Sequence, residues 1–133
     1  MARDYSEREL IKWTPSVDKE STKPTYVNFI PLTKGEYDKY IASLAEMKRN
    51  KVIYHSETAF EKLCKLTLTA DSNGNYLGNV YWKEKGGIKK FLDNVNDKEL
   101  AIKICAGMIT DDANELEQEM RGQSSLTEEE VKN

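Results

Sequence analysis

The chain has 133 residues, which is the size of one ordinary domain that buries a core without help from disulfides or metals. With 38% hydrophobic and 32% charged residues, it is polar for a globular domain but too apolar for full disorder. The 20 basic and 23 acidic residues give a formal net charge of -3. This balance lacks the basic excess that is typical of nucleic-acid-binding proteins.

The two ends of the sequence are polar. No apolar run follows Met1, and no stretch reaches the length of a membrane span, so we expect neither a signal peptide nor a membrane partner. Cys64 and Cys105 both lie in apolar helical patterns. Two such cysteines predict buried thiols in a reducing cytoplasm rather than a secreted disulfide scaffold.

The first elements are an arm and a strand. Residues 1–23 are polar and lack a sustained period, which predicts a flexible arm, extended or partly helical from Tyr5 to Trp13. Residues 25–30 are rich in β-branched and aromatic side chains and are bounded by Pro24 and Pro31. This composition predicts a strand. We therefore predict one globular domain over residues 24–122.

Two helices are predicted next. Thr33 and Glu36 have the spacing of a capping box, in which each side chain bonds a free amide of the first helical turn. The apolar residues that follow at helical spacing are Tyr37, Tyr40, Ile41, Leu44 and Met47. A second helix is predicted to begin at Ser56 and to bury Phe60, Leu63 and Cys64.

The pattern then changes to alternation. Residues 66–69 and the stretch around 76–82 both alternate, and Asn73-Gly74 lies between them. Because Asn and Gly tolerate positive φ, this arrangement predicts a hairpin. Gly86-Gly87 then breaks the chain, and a helix is predicted from Ile88 to Val95.

Two late helices complete the fold. One is predicted to begin near Asn96 or Asp97, with Leu100, Ile104 and Met108 on one face. The other begins at Asp111-Asp112, places Leu116 and Met120 one turn apart, and stops at Gly122; residues 123–133 form an acidic tail. The predicted fold class is α+β, mainly α-helical, with four or five helices, an N-terminal strand and a β-hairpin.

The sequence offers no arrangement typical of catalysis, of a metal site or of a cofactor. His55 is the only histidine and has no nucleophile or orienting carboxylate at a useful spacing. Residues 71–75 resemble the opening of a calcium loop, but Tyr76 stands where that loop needs glycine and Trp82 where it needs glutamate. We therefore predict that the protein is not an enzyme and holds no metal or cofactor.

One basic-aromatic patch allows two interpretations. Tyr81 and Trp82 lie among four lysines, Lys83, Lys85, Lys89 and Lys90. Such a patch can hold single-stranded nucleic acid by stacking and charge. A solvated hairpin end is the interpretation that the neutral-to-acidic chain favours.

Four segments occur in an order that is typical of one family. Residues 23–37, KPTYVNFIPLTKGEY, give a proline, a short strand and a P-L-T entry to a helix. Phe60 with its helix and the Asn73-Gly74 turn follow, then the late helix at 100–109, and finally SSLTEEEVKN at 124–133. Over residues 23–133 the chain resembles the tail assembly chaperones of long-tailed bacteriophages.

The resemblance implies a non-catalytic protein of the host cytoplasm. Such chaperones coat the tape measure protein before the tail tube polymerises around it, and they recruit tail tube subunits. A coat for a long helix must bind many sites weakly and then release them, as exposed apolar helix faces with an acidic fringe would do. The candidate contact residues are Tyr37, Tyr40, Ile41, Leu116 and Met120, and ordinary core packing is the alternative for each of them.

Two other functions stay open from the sequence. A small nucleic-acid-associated regulator would use Tyr81, Trp82 and the nearby lysines, and its binding would weaken steeply with salt. A virion structural subunit, of the tail tube or of a head–tail connector, would be rich in strands and form rings. The sequence does not decide between a monomer and a homo-oligomer.

Overall fold

The computed structural model describes residue 2, residues 6–49 and residues 58–122, with the backbone alone for residues 46–49. Within these ranges the chain forms four α-helices and five short strands, which confirms the predicted α+β class with its N-terminal strand and its hairpin. No helix in the described ranges is long and apolar enough to cross a membrane.

A three-stranded antiparallel sheet joins two N-terminal strands to a strand from the middle of the chain. Its strands are β1 (Ile11–Trp13), β2 (Tyr26–Phe29) and β3 (Leu77–Gly78), in the order β1-β2-β3. All four residues of β2 are buried, as expected for a central strand covered on both faces. The strand predicted at residues 25–30 is therefore confirmed.

The structure adds β1 to the predicted domain, although the predicted boundary after residue 23 left it out. Ile11 pairs with Phe29 and Trp13 pairs with Val27. Trp13 keeps only 6% of its surface exposed and belongs to the core. A strand of three residues is too short to show a period in the sequence, and its pairing with a distant strand defines it.

The first helix, α1 (Lys34–Arg49), begins as predicted. The Glu36 amide donates to Thr33 Oγ1 at 3.2 Å, and the Thr33 amide donates to Glu36 Oε1 at 2.9 Å. Arg8 Nη1 donates to the same carboxylate oxygen at 2.6 Å. The bond from the Thr33 backbone is the main cause that lowers the pKa of Glu36, and Arg8 adds to it.

The second helix, α2 (Ala59–Thr67), has a capping box of its own, formed by Thr58 and Glu61. The predicted start at Ser56 lies outside the described residues. The strand predicted at 66–69 is wrong, because α2 continues to Thr67, whose hydroxyl donates to the Leu63 carbonyl at 2.8 Å. Leu68 makes only an isolated bridge to β2.

The hairpin lies further along the chain than predicted. The Asn73-Gly74 turn exists, with Gly74 at φ 84, but it leads from the end of α2 into β3. The hairpin is instead formed by β4 (Val80–Trp82) and β5 (Lys90–Leu92), which pair across Gly86-Gly87. The helix predicted from Ile88 to Val95 is therefore wrong. Gly86, at φ 79, allows the chain to reverse so that β5 pairs with β4.

Two late helices close the core. They are α3 (Lys98–Ala106), capped by the Asp97 side chain, and α4 (Thr110–Met120), which is followed by Gly122 at φ 77. Both were predicted, although α3 ends before Met108. Both of them pack against α2.

The two cysteines lie in this helical layer. Cys64 of α2 and Cys105 of α3 are free and buried, which confirms the predicted buried thiols. A hydrogen bond shared with Cys105 and the burial of the site both raise the pKa of the Cys64 thiol. Both effects keep this sulfur protonated and unreactive at neutral pH.

Candidate functional site

Three of the five predicted contact residues lie in the core. Tyr40 is 1% exposed, and Leu116 and Met120 are fully buried. The Tyr40 hydroxyl donates to the Ala59 carbonyl at 2.9 Å, so its polar atom is also used inside the fold. The prediction of partner contacts is wrong for these three residues, because their helical stripes face other elements of the same chain.

The other two predicted contact residues remain accessible on α1. Ile41 is 39% exposed. Tyr37 is half-buried, with the Arg121 guanidinium 6.0 Å and the Lys34 ammonium 5.7 Å from its ring centroid. They form a small surface rather than the continuous stripe that the sequence predicts.

A larger group of exposed apolar side chains lies on the β4–β5 hairpin. Tyr81 is 66% exposed, Ile88 81% and Phe91 38%. Tyr81 and Phe91 pair directly across the two strands, and their rings meet edge to face with centroids 5.0 Å apart. The sequence analysis missed Phe91 because it assigned residues 88–95 to a helix.

The opposite face of the hairpin anchors it to the core. Val80, Trp82 and Leu92 pack against the buried cluster, as strand alternation requires. The Trp82 ring lies so close to Gly107 that a Cβ there would stand 2.9 Å from a ring carbon. Of the two aromatic residues in the predicted basic-aromatic patch, only Tyr81 therefore faces outward, while Trp82 turns inward.

A groove of about 650 Å³ opens beside the anchored hairpin. Its walls are the hairpin, the segment of residues 15–25, and the junction between α3 and α4. The apolar part of the lining consists of Pro15, Val80, Tyr81, Trp82, Phe91, Ile104 and Met108. A volume of this size is typical of sites that bind ligands or side-chain anchors of a partner.

Hydrogen bonds fix the position of the N-terminal wall. The Ser16 hydroxyl and amide donate to the Glu115 carboxylate at 2.6 and 3.1 Å. The Thr25 amide donates to Asp18 Oδ2 at 2.6 Å. The Ser16 bonds attach the wall to α4, and the Thr25 bond joins two parts of the wall.

The charged side chains that line the groove are Asp18, Lys23 and Asp112. Asp18 and Asp112 form an acidic rim, with Asp111 and Glu115 close to Asp112. Burial is the main cause that raises the pKa of Asp112, and repulsion from Glu115, Asp111 and Asp18 adds to it. Lys89, which does not line the groove, lies 5.2 Å from the Tyr81 ring centroid. Lys23 lies 5.7 Å from the Phe91 ring centroid and 3.7 Å from the Asp93 carboxylate.

The groove lining combines apolar side chains with the charged side chains of Asp18, Lys23 and Asp112. Over the described residues, no group of three or more His, Cys, Asp or Glu side chains could hold a metal ion. His55 falls outside these residues. Comparison with protein-family models, with curated proteins and with solved structures finds no match to the chain.

Proposed function

We propose that the protein is a non-catalytic tail assembly chaperone of a long-tailed bacteriophage. It binds the tape measure protein and recruits tail tube subunits during tail morphogenesis in the host cytoplasm. The four sequence segments that resemble this family support the proposal. The structural observation that carries it is the open groove beside the exposed Tyr81–Phe91 pair, because such grooves accept the apolar face of a partner helix.

The size of the groove explains both weak binding and release. The groove has room for only a few apolar side chains of a partner, so a single site binds weakly and dissociates readily. A long helical partner offers many such sites, and many bound copies protect it together. Tyr37 and Ile41 are the accessible remainder of the α1 stripe and serve as secondary contacts.

A second candidate function rests on the lysine above the exposed ring. Lys89 over Tyr81 is an arrangement that stacks and pairs with single-stranded nucleic acid. The carboxylates of Asp18 and Asp112, which line the groove, would repel a polyanion, so we favour the protein partner. Nucleic-acid binding would show a steep loss of affinity with salt.

Co-expression tests the proposal directly. The tagged full chain is produced with the tape measure protein of the same genome, and the soluble fraction is passed over a sizing column. We expect the tape measure protein to become soluble and to elute with several copies of this chain. If it stays insoluble while this chain elutes alone, the proposal fails.

Variants at the exposed pair assign the binding to the groove. Tyr81→Ser and Phe91→Ser remove apolar surface from its edge, so we expect each to reduce the co-eluting partner several-fold. Leu66→Ser is the matched control, because Leu66 is 54% exposed on α2 and does not line the groove. Equal losses for all three variants would show that the groove is not the binding site.

A further inference from the structure

We infer that the outer edge of β1 is a docking site for an extended segment of a partner protein, which adds a fourth, antiparallel strand to the sheet and places an acidic residue opposite Lys12. This site shares no lining residue with the groove beside the hairpin. It goes beyond the proposed function and does not depend on it, because the backbone of the sheet defines it.

The backbone of β2 shows which groups of β1 are already used. Successive residues of a strand direct their N–H and C=O groups to opposite edges. The Asn28 amide donates to the Tyr76 carbonyl at 2.8 Å, and the Asn28 carbonyl accepts from the Thr69 amide at 3.1 Å. Asn28 therefore faces away from β1, and its two neighbours, Val27 and Phe29, face β1.

Lys12 is the residue of β1 that faces outward. The residues that pair with Phe29 and Val27 flank Lys12 on both sides. Because these flanking residues direct their backbone groups toward β2, the N–H and C=O groups of Lys12 point to the other edge. Within the described ranges, β1 is the end strand of its sheet. A single residue of an antiparallel strand can accept from this N–H and donate to this C=O, as in strand addition.

A second groove, of about 620 Å³, opens along this edge, and we call it the edge groove. The four consecutive residues 11–14 line it, together with Glu115, Gln118 and Glu119 of α4. Side chains of successive strand residues lie on opposite faces, so four in a row line one groove only where it runs along the strand edge. Among the described residues that line it, none belongs to β2, so it lies on the outer side of β1.

The walls of the edge groove are fixed within the chain. Ser16, which also lines it, donates to the Glu115 carboxylate from its hydroxyl and its amide. Trp13 is buried in the core and anchors β1. A partner segment therefore meets a preformed edge, which lowers the entropy that this chain loses on binding.

The Lys12 side chain determines the charge that suits the added strand. Lys12 is exposed, with its ammonium 4.6 Å from the Tyr26 ring centroid. Opposite charges attract when two residues face each other across neighbouring strands, and like charges repel. A second copy that paired through its own β1 would place one Lys12 opposite the other, and lysine on an edge strand opposes such self-pairing. The occupant is therefore a segment of another protein, with an acidic residue at this position.

Amide hydrogen exchange of the full chain shows whether the edge is open. We expect the protection factor of the Lys12 amide to be at least about tenfold lower than those of Ile11 and Trp13, which are bonded to β2. Equal protection would show that the edge is already covered. A dependence on protein concentration would identify a second copy as the cover, and no dependence would identify another segment of this chain; either result overturns the docking site.

Three capped peptides then serve as probes of binding to the full chain. The first is Thr-Val-Glu-Val-Thr, the second has Lys in place of Glu, and the third carries an N-methyl group on the Glu nitrogen. Shifts of the Lys12 and Thr14 amide signals in NMR titrations measure the affinity. We expect the Lys peptide to bind about two- to fivefold more weakly than the Glu peptide at low salt. The N-methyl peptide, which lacks the central donor, should bind about five- to tenfold more weakly.

Two substitutions of Lys12 separate the backbone from the side chain. Lys12→Pro removes the outward N–H and leaves the bonds to β2 in place, as edge strands tolerate. We expect it to weaken the Glu peptide about five- to tenfold, as measured at the Thr14 amide. Lys12→Gln is the matched control, because it keeps both backbone groups; it should bind the Glu peptide but lose the preference for Glu over Lys. Unfolding curves establish that each variant folds, and if Lys12→Pro does not fold, the N-methyl peptide tests the same pairing on the unaltered chain.

The outcomes of these titrations are independent of the tape measure protein. Binding of the Glu peptide that is weakened by N-methylation and by Lys12→Pro supports the docking site, even when the tape measure protein stays insoluble. The absence of a shift at Lys12, or equal binding of all three peptides, overturns the docking site, even when the tape measure protein co-elutes with the chain.

Discussion

The helical core and the hairpin use their apolar residues differently. In the layer that contains Cys64 and Cys105, Leu63 of α2 and Leu116 and Met120 of α4 are fully buried. On the hairpin, one face packs against that core while the other leaves Tyr81 and Phe91 in water. A chain with only 38% hydrophobic residues has few apolar groups to leave in water, and a cluster of them beside a groove is typical of an interaction surface.

This difference separates stability from binding. Removal of a core side chain leaves a cavity and lowers the free energy of unfolding. Removal of an exposed aromatic from a two-stranded hairpin loses only a cross-strand contact, about 0.2–1 kcal/mol. Substitutions in the two regions should therefore affect different measurements.

The largest expected effect is in the core. Leu116→Ala should lower the free energy of unfolding by about 2–5 kcal/mol, because Leu116 is fully buried on α4. Urea denaturation followed by circular dichroism measures the change. Leu66→Ala, at an exposed position on α2, should change stability by no more than about 0.5 kcal/mol. Equal effects at both positions would contradict the assignment of α4 to the core.

The second largest effect on stability is expected where the hairpin contacts the end of α3. In Gly107→Ala the new methyl group would meet the Trp82 ring at 2.9 Å, so the hairpin or the end of α3 must shift. We expect a loss of about 1–3 kcal/mol, typical of overpacking, together with a change in tryptophan fluorescence.

Gly35→Ala is the matched control for that substitution. A Cβ at Gly35 meets nothing within 4 Å in the first turn of α1. Replacement of a helical glycine by alanine should raise stability by about 0.5–1 kcal/mol. If Gly107→Ala is equally tolerated, the hairpin does not depend on this contact.

A smaller effect is expected at the start of α1. Thr33→Ala removes one bond of the capping box and should cost about 1 kcal/mol. The lowered pKa of Glu36 adds a pH dependence. The stability that ionised Glu36 contributes to the fold is fully present above its ordinary pKa of 4.5, and it is lost as pH falls through the lower pKa of the folded state. Glu36→Gln should abolish this loss of stability at low pH in urea denaturation, whereas Asp38→Asn should leave the loss unchanged.

Local patterns predicted the four observed helices well and the strands less well, but they also predicted a helix at 88–95 that does not exist. Thr33 with Glu36, and Gly122 after Met120, are signals carried by neighbours in sequence, so the bounds of α1 and α4 were close to those observed. The strands β1 and β5 have three residues each, too few to show a period, whereas β4 lies at the end of the alternating stretch predicted around 76–82. Long-range pairing defines β1 and β5. The alternation of residues 66–69 suggested a strand where α2 ends.

The candidate site was the least predictable part. An amphipathic stripe in the sequence shows that one face of a helix is covered, but not whether its own chain or a partner covers it. Other elements of the same chain cover Tyr40, Leu116 and Met120. The groove depends on contacts across many residues, such as those of Ser16 with Glu115 and of Trp82 with Gly107, which no local pattern indicates.

The smallest expected effect lies in the acidic rim itself. Because the pKa of Asp112 is raised in the folded state, its ionisation destabilises the fold, and stability falls as pH rises from its ordinary pKa of 3.8 through the folded value. Asp112→Asn should therefore gain slightly over the parent chain at neutral pH, and the gain should vanish in acid. Urea midpoints across the acid range measure it, with Asp97→Ala expected to lose stability instead because the Asp97 side chain caps α3. A positively charged partner group beside Asp112 would remove the same repulsion, so the groove should bind such a group more tightly as pH rises through that range. If Asp112→Asn lost stability at neutral pH as Asp97→Ala does, the acidic rim would serve the fold and not the partner.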